Sequence, residues 1–318
     1  MIANGNPMDE QDAVALLQRV FGSSARTLVD NGDDAVVLRK VPRPLVVSVD
    51  ASVQGVHFDR DHVSLKDIGF RSHAAAVSDL AAMAAAPICS LSALVVPKGF
   101  SRRELAQLAA GQKLSATQHE CAVVGGNLSR GLELSVTTTV IGSAALPTLR
   151  SGARPGHGIW LIGPVGLARA GLELLRADRA PRMNRSARAA ALGAFRRPRA
   201  LLAEGRRAAK RVSALIDVSD GLVQDADQIA RASGVRLCFD WTLLERLPTA
   251  ELRAVAAAFG VHPLKWALAG GEDYALLATA PGRLSGARLL GQVTPGRGVR
   301  LVGAPAWAKG LRGFDHLR

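Results

Sequence analysis

Short acidic motifs are scattered through a chain that is otherwise strongly basic. They are Gly32-Asp33-Asp34, Ser48-Val49-Asp50, Ser78-Asp79-Leu80 and Asp217-Val218-Ser219-Asp220-Gly221. Each lies beside a glycine or at the edge of an apolar run that is typical of a strand or a helix. Carboxylates at such places are typical ligands of Mg²⁺, which usually accompanies phosphate in proteins. The motifs therefore indicate nucleotide-dependent phosphoryl chemistry.

Taken singly, each acidic residue has a simpler interpretation as a turn residue or a helix cap, because Asp is common in both. Asp50 and Asp79 fit that interpretation poorly. Asp50 closes an apolar strand, where a carboxylate is costly unless it faces a cation or a polar cleft. Asp79 lies inside an apolar helix, where Asp is mildly unfavourable. The joint pattern favours a binding pocket over isolated caps.

The segment 217–222 is the sharpest local pattern, because it ends an apolar strand and opens a helix. That arrangement would bring carboxylates, a hydroxyl group and free helix N–H groups to one point, as phosphate and Mg²⁺ require. Ordinary capping by Ser219 or Asp220 is the alternative. Two glycine pairs, in 125–127 and 270–274, also adjoin predicted strands and would allow close backbone approach to a ligand.

The usual phosphate-binding loops are missing from the sequence. It contains neither G-x-x-x-x-G-K-[ST] nor a G-x-G-x-x-G that follows a strand. Phosphate would therefore be held by metal ions, arginine side chains and helix N-termini. No Cys–His or Ser–His–Asp arrangement offers a nucleophile either.

Hydrophobic periodicity predicts the elements that must position these residues. We expect helices at 10–21, 65–86, 102–118, 165–177, 199–211, 221–233 and 249–259. We expect strands at 45–50, 90–96, 121–125, 132–142, 159–163, 214–218, 235–240, 274–279, 287–292 and 298–302. The strand at 45–50 is predicted to be buried, Pro87 to stop the second helix, and Ser101 to cap the third. The Pro- and Gly-rich stretch 147–158 is expected to link a first domain, 1–147, to a second, 148–318.

Composition narrows the class of protein. The 318 residues carry 40 Lys and Arg against 27 Asp and Glu, a net charge of +13 that favours anionic partners. Aromatic residues make up only 4% of the chain, so nucleic-acid binding is not expected. No apolar run is long enough to span a membrane and no signal peptide is visible, which predicts a cytoplasmic protein without membrane partners. The three cysteines are expected to be reduced and structural.

Seven segments occur in the order found in thiamine-monophosphate kinases, and the chain resembles that family over almost its whole length. They are NGDDAVVL (31–38), VDASVQGVHF (49–58), VSDLAAM (77–83), VVGGN (123–127), RSGARPG (150–156), DVSDGLVQD (217–225) and WALAGGEDYALL (266–277). The family belongs to the aminoimidazole-ribonucleotide-synthetase-like ATP-binding superfamily. The resemblance implies an N-terminal α/β domain whose sheets form a barrel-like interface in a homodimer, followed by an α+β domain.

The resemblance also implies a reaction and a set of site residues. The γ-phosphoryl group of ATP would pass in line to thiamine monophosphate, helped by several Mg²⁺ ions. The implied metal ligands are Asp34, Ser48, Val49, Asp50, Asp79, Asn127, Asp217 and Asp220, of which Asp79, Asp217 and Asp220 are the catalytic candidates. The implied ATP contacts are Gly126, Asn127, Arg150 and Ser219. The implied thiamine phosphate contacts are His57, Glu272 and Phe314.

The chain departs from the family pattern at several positions. Asn127 replaces a usual Asp and offers an oxygen without a charge, so one metal site should be weaker. Val49 replaces a usual Thr, and a metal contact there requires the backbone carbonyl. Further departures are Ala51, Gln54, Ala76 and Ala84. The main carboxylates remain, which favours an active enzyme; the alternative is a non-catalytic or differently specific ATP-binding member of the superfamily.

Overall fold

The computed structural model describes residues 10–29, 35–179, 181–308, 310, 311, 313 and 314. The chain divides into two compact units. The first unit is Met1–Leu80 with Pro87–Ala145, and the second unit is Ala81–Ala86 with Leu146–Arg318.

The elements up to residue 145 alternate between helices and strands. They are α1 (Glu10–Phe21), β1 (Thr27–Val29), β2 (Val37–Leu38), β3 (Leu45–Val53), α2 (Leu65–Ala82), β4 (Ala86–Pro97), α3 (Arg102–Gln118), β5 (Val123–Gly131) and β6 (Ser135–Ser143). The main sheet has the strand order β3-β6-β4-β5. β3 and β6 are antiparallel, whereas β4 and β5 are parallel and are joined through α3. Ser101 caps α3 in a capping box with Glu104, as predicted.

Helices α2 and α3 touch through their backbones. A Cβ atom on Gly69 would lie 2.0 Å from the Leu108 carbonyl oxygen, and one on Gly111 would lie 1.9 Å from the Lys66 carbonyl oxygen. Two glycines therefore form the contact reciprocally, because no side chain fits between the helices at either point.

The prediction of a buried strand at 45–50 was wrong in two respects. The strand continues to Val53, and its burial alternates along the chain. Leu45, Val47 and Val49 are 55%, 61% and 62% exposed, whereas Val46 and Ser52 on the opposite face are buried. The reason is that only one face of this antiparallel strand packs against the protein.

Pro87 does not stop the second helix, so that prediction was also wrong. α2 ends at Ala82, and Ala84 then adopts a left-handed conformation with φ = 54°. Pro87 is the second residue of strand β4. The turn of the backbone at Ala84 ends the helix before the proline is reached.

The second unit is built on a mixed sheet of six strands. Its elements are β7 (Gly158–Ile162), α4 (Leu167–Arg176), α5 (Arg185–Arg196), α6 (Leu202–Ala208), β8 (Ala214–Asp217), α7 (Leu222–Ser233), β9 (Arg236–Asp240), α8 (Trp241–Leu244), α9 (Ala250–Ala258), α10 (Pro263–Ala269), β10 (Leu276–Ala280), β11 (Arg288–Thr294) and β12 (Gly298–Val302). The strand order is β12-β9-β11-β7-β10-β8, with only β12 and β9 parallel. α5, α8 and α10 were not predicted. Within the described residues every sheet is open, and none closes on itself.

The cysteines are free thiols, as predicted. Cys89 and Cys121 are buried and Cys238 is partly buried. Burial raises the pKa of the Cys89 thiol to about 11 and that of Cys121 to about 12, which makes both unreactive near neutral pH. Among the helices that the structure describes, none is long and apolar enough to cross a membrane.

Candidate active site

The segment 217–221 turns from strand β8 into helix α7. Asp217 is the last residue of β8, is buried, and lies opposite Leu276 of β10. Gly221 is the N-cap of α7 with φ = 126°, and a Cβ atom there would lie 3.1 Å from the Ala269 Cα. Glycine is favoured at this position because the backbone conformation is one that side chains rarely adopt, and a Cβ atom would also be in tight contact.

The loop 270–274 packs against this turn through backbone hydrogen bonds. The Glu272 N–H donates to the Ser219 carbonyl oxygen at 2.7 Å, and the Tyr274 N–H donates to the Val218 carbonyl oxygen at 2.9 Å. Glu272 and Tyr274 both have positive φ angles, 58° and 51°. Two non-glycine residues in this conformation within one loop are strained, and such strain is concentrated at functional sites.

Asp273, between those two residues, has a structural task instead. Its carboxylate accepts hydrogen bonds from the Gly166 N–H at 2.6 Å and the Ala168 N–H at 3.1 Å, which satisfies donors at the start of α4. Although the residue is partly exposed, burial of its carboxyl group raises the pKa of Asp273 to about 7, while the two N–H groups oppose the rise. Asp273 therefore fixes the loop that presents Glu272.

The C-terminal segment contacts the same turn through Gly313 and Phe314. The Phe314 N–H donates to the Asp220 carbonyl oxygen at 2.9 Å, and the Gln224 side-chain amide donates to the Phe314 carbonyl oxygen. A Cβ atom on Gly313 would lie 2.2 Å from the Asp220 carbonyl oxygen. The Phe314 backbone is thus attached to residues 217–221, the acidic turn, and 46% of Phe314 is exposed.

Asp225 is a buried carboxylate behind the acidic turn. One of its oxygens accepts the N–H groups of Asp220 and Gly221, both at 3.1 Å. Burial raises the pKa of Asp225 to about 8, and the charges of Asp220 and Asp217 add to the rise. The charges of Asp220 and Asp217 create a negative potential at this turn that would suit a cation.

Arg150 belongs to this region as well. Its Nη1 donates to the Gln228 Oε1 at 2.6 Å, and the Gln228 Nε2 donates to the Asp225 Oδ1 at 3.2 Å. The second unit therefore brings together six of the predicted site residues: Arg150, Asp217, Ser219, Asp220, Glu272 and Phe314.

In the first unit, a second group of predicted residues lies along β3 and α2. The Ser48 Oγ donates to the Asp79 Oδ2 at 2.5 Å. Asp50 lies two residues further along β3, opposite Thr138, and so shares a face of the strand with Ser48. Val49 points to the opposite face, where it is exposed. Its side chain is thereby separated from Ser48, Asp50 and Asp79.

Gly126, Asn127 and His57 occupy exposed or partly exposed positions in the first unit. Gly126 packs tightly on β4, since a Cβ atom there would lie 1.8 Å from the Ser92 carbonyl oxygen. Asn127 is the next residue of β5 and lies opposite Ala93. The His57 Nδ1 accepts the Val53 N–H at 3.1 Å, which holds the turn after β3 and leaves the proton of the neutral ring on Nε2.

Asp33 and Asp34 lie outside the described residues. Among the residues that the structure does describe, no group of three or more His, Cys, Asp or Glu side chains is arranged to hold a metal ion. Asp225, Gln224 and Gln228 were missed by sequence reasoning. The available signal was the three-residue spacing of Asp225 and Gln228, which places both on one side of α7.

Known proteins resemble this chain in sequence and in fold. Residues 32–144 match the family model "AIR synthase related protein, N-terminal domain". The chain is 31% identical to the thiamine-monophosphate kinase of Aquifex aeolicus, over 89% of this chain and 92% of that protein. It is 33% identical to the thiamine-monophosphate kinase of Corynebacterium glutamicum, over 96% of this chain and 94% of that protein.

Solved structures give a similar result. AaThiL complexed with AMPPCP and TMP has a TM-score of 0.79 and 28% identity, covering 97% of each chain. The thiamine-monophosphate kinase of Stenotrophomonas maltophilia K279a has a TM-score of 0.81 and 29% identity, covering 92% of this chain and 97% of that one. Hydrogenase maturation protein HypE in complex with ATP is 18% identical with a TM-score of 0.71, a likeness of fold alone.

Proposed function

The chain belongs to the thiamine-monophosphate kinase family, and we propose that it transfers the γ-phosphoryl group of ATP to thiamine monophosphate in one in-line step. The observation that carries this proposal is the convergence of Asp217, Ser219, Asp220 and Glu272 on one turn. It is supported by the likeness to a structure complexed with AMPPCP and TMP. Direct transfer fits a chain without an activated nucleophile, in which catalysis consists of positioning and charge neutralisation.

The residues of the second unit have distinct roles in this proposal. Asp217 and Asp220 would hold Mg²⁺, since their oxygen ligands and negative potential fit a hard cation. Bound Mg²⁺ supplies neutralisation of the triphosphate charge. Arg150 would donate two N–H groups to phosphate oxygens, as its planar fork permits, and the Ser219 hydroxyl would donate a further hydrogen bond.

The residues of the first unit have roles of their own in this proposal. Ser48, Asp50 and Asp79 share one surface of β3 and α2 and are proposed metal ligands, Asp79 as a catalytic residue. Asp34 and the backbone carbonyl of Val49 are proposed as further ligands. Gly126 would let ATP approach the backbone, and Asn127 would offer a neutral oxygen to nucleotide or metal.

The thiamine phosphate contacts follow from the chemistry of the substrate. Thiamine carries a positive thiazolium ring, which Glu272 would attract. The exposed Phe314 ring would stack on it, as aromatic rings do with cations. The Nε2–H of His57 would donate to a phosphate oxygen.

We also propose that the protein is a homodimer that pairs through the exposed face of β3. Leu45, Val47 and Val49 form a row of apolar side chains on an edge strand. A second copy would cover this row, and the sheets of both copies would form the barrel-like interface. In this proposal residues 1–147 bind metal and ATP and dimerise, and residues 148–318 supply the remaining contacts.

The experiment that tests the function measures ADP release with ATP, Mg²⁺ and thiamine monophosphate. We expect turnover by the wild type and a loss of at least about 100-fold in Asp220→Ala, since that side chain would neutralise transition-state charge. Asp227→Ala is the matched control, because Asp227 lies on the helix that follows Asp220 and forms an ion pair with the exposed Arg231. Absence of wild-type turnover, or full activity of folded Asp220→Ala, would contradict the proposal.

Asn127 favours one second candidate, an ATP-binding protein of this fold that has lost catalysis. Its neutral amide replaces a charged ligand that the family usually has. Calorimetry that detects binding of AMPPCP and thiamine monophosphate, together with no ADP release, would support this candidate over the kinase.

A further inference from the structure

A chain of side-chain hydrogen bonds joins Arg150 to the acidic turn. Arg150 donates to the Gln228 Oε1 at 2.6 Å, Gln228 donates to the Asp225 Oδ1 at 3.2 Å, and the Asp225 Oδ2 accepts two backbone N–H groups at 3.1 Å. The exposed end of this chain is Arg150, and the buried end is Asp225, which is 0% exposed. A surface cation is thus connected to a buried turn through two intermediate side chains.

The direction of donation along these hydrogen bonds is determined by the groups at the two ends, Arg150 and Asp225. Arginine can only donate hydrogen bonds, and the Asp225 side chain accepts here, from Gln228 at Oδ1 and from two backbone N–H groups at Oδ2. The amide of Gln228 can satisfy both neighbours in one orientation, with oxygen towards Arg150 and nitrogen towards Asp225. An amide is therefore the group that fits between a donor, Arg150, and an acceptor, the Asp225 Oδ1.

Asp225 also holds the two residues that lead into helix α7. The N-cap residue is Gly221, which has no side chain to accept the first N–H groups. Asp225 reaches back from the first turn of α7 and accepts the N–H groups of Asp220 and Gly221. Because the Asp220 carbonyl oxygen accepts the Phe314 N–H, the backbone of Asp220 is held at its nitrogen and at its oxygen.

We propose that Asp225 and Gln228 are positioning residues, which set the distance and orientation between the Arg150 guanidinium group and the Asp217–Gly221 turn. Neither residue would touch a substrate. A displacement of about 1 Å in catalytic groups can cost on the order of 100-fold in rate, so such a connection has a kinetic effect. The proposal rests on the proposed function, because it assigns Arg150 to phosphate and Asp220 to metal.

Exchanging the carboxyl group at position 225 and the amide at position 228 tests whether their hydrogen bond positions Arg150. Asp225→Asn places an amide against the Gln228 amide, and Gln228→Glu places a carboxylate against Asp225. We expect each single variant to lower kcat/KM for ATP by about 10- to 100-fold, with little change in the KM for thiamine monophosphate. The double variant restores one carboxylate facing one amide, and the amide oxygen that Asp225→Asn introduces can still accept both backbone N–H groups.

The two outcomes for the double variant are distinct. A kcat/KM for ATP at least tenfold above the value expected from multiplying the single effects supports the proposal. Any smaller recovery overturns it. Asp227→Asn and Gln292→Glu make the same chemical changes elsewhere in the second unit and should leave kcat/KM unchanged within about twofold. Thermal midpoints of all variants separate this effect from unfolding.

A parallel measurement keeps this proposal separate from the proposed function. The wild type, the two single variants and the double variant are titrated calorimetrically with AMPPCP and Mg²⁺. If the wild type shows no turnover, the proposed function fails. The positioning role of Asp225 and Gln228 is then tested by whether the double variant recovers the affinity for AMPPCP that the single variants lose. A wild type that binds no AMPPCP overturns both proposals.

Discussion

The backbone carbonyl oxygen of Asp220 accepts a hydrogen bond from the backbone N–H of Phe314, with 2.9 Å between the two atoms. The C-terminal segment is therefore attached to the same residue whose backbone N–H Asp225 holds from the other side. Glu272 reaches the neighbouring residue, Ser219, through another backbone bond. Segments that are distant in sequence thus depend on one short turn for their position.

Gly313 controls the approach of that segment. In Gly313→Ala the new Cβ atom would lie 2.2 Å from the Asp220 carbonyl oxygen, so the segment must move away. We expect the KM for thiamine monophosphate to rise by up to about tenfold, the equivalent of one hydrogen bond, with a smaller change in the KM for ATP. Gly282→Ala, where the Cβ atom meets nothing within 4 Å, is the control. An unchanged KM for thiamine monophosphate would remove Phe314 from the substrate site.

Replacing Ala84 by glycine should make the protein more stable. It has φ = 54°, a conformation that costs a residue with a Cβ atom roughly 1–2 kcal/mol and costs glycine little. Ala84→Gly should therefore raise the free energy of unfolding by about 1 kcal/mol, partly offset by the entropy of glycine in the unfolded chain. Urea denaturation measures this change. Ala82→Gly, in the last turn of α2, should be destabilising instead, and a loss of stability in both variants would refute the explanation.

Because His73 is buried, we expect the free energy of unfolding to decrease as the pH falls. It is 0% exposed, its Nδ1 bonds to the Ser115 hydroxyl, and its Nε2 contacts the Ser90 hydroxyl and the Cys121 carbonyl oxygen. Burial, with a smaller contribution from the charge of His119, lowers the pKa of His73 to about 3. The unfolded state, with a pKa of about 6.5, therefore binds the proton first as the pH falls.

The contribution of His73 to stability is complete above pH 6.5 and is lost progressively between about pH 6.5 and pH 3. The expected loss is about 2 kcal/mol between pH 6.5 and pH 5, at about 1.4 kcal/mol per pH unit. Urea unfolding at each pH should show this slope in the wild type and in His62→Gln, whose residue is exposed. The slope should be reduced in His73→Gln. Equal slopes in all three proteins would show that another group is responsible.

Asn127→Asp tests the departure of this chain from its family. The added carboxylate should lower the Mg²⁺ concentration for half-maximal activity several-fold, because a charged oxygen ligand binds a hard cation more strongly than an amide does. Ser129→Asp adds the same charge two residues along the same face of β5 and should change little. Equal responses of the two variants would indicate a general electrostatic effect, and no response would remove Asn127 from the metal site.

If the exposed apolar row on β3 (Leu45, Val47 and Val49) is the dimer interface, a single charge within it should separate the subunits. Sedimentation should give a dimer mass for the wild type and a monomer mass for Val47→Glu, because the charge would be buried without a partner. Leu132→Glu is the control, since Leu132 is fully exposed in a loop of the same unit. A monomeric wild type, or a dimeric Val47→Glu, would exclude β3 as the interface.

Local sequence signals predicted many of the elements well. The bounds of α1, α3 and β12 agree with prediction, and for α3 the reason is the complete capping box at Ser101 and Glu104. The end of α2 was mispredicted because a left-handed turn at an alanine carries no sequence signal. The Arg- and Ala-rich stretch 185–196 forms a helix whose buried residues are Ala187, Ala191 and Phe195, with the two alanines in the core of the second unit.

The candidate site was only partly predictable, for a different physical reason. Asp217 and Asp220 stood out because they end a strand and precede a helix. Their link to Glu272 and Phe314 depends on backbone hydrogen bonds between distant segments, which no side-chain pattern records. Asp225 resembles an ordinary solvated residue of an amphipathic helix in sequence, and only its burial behind Gly221 distinguishes it.

The reciprocal contact of Gly69 and Gly111 limits how this protein can evolve. Each glycine faces a backbone carbonyl group of the other helix, so a side chain at either position would force both helices apart. No single substitution at one glycine can be compensated by trimming a neighbour, because the obstacle is backbone. Substitution of either glycine should therefore be selected against, whereas substitutions of the exposed residues around them should be tolerated.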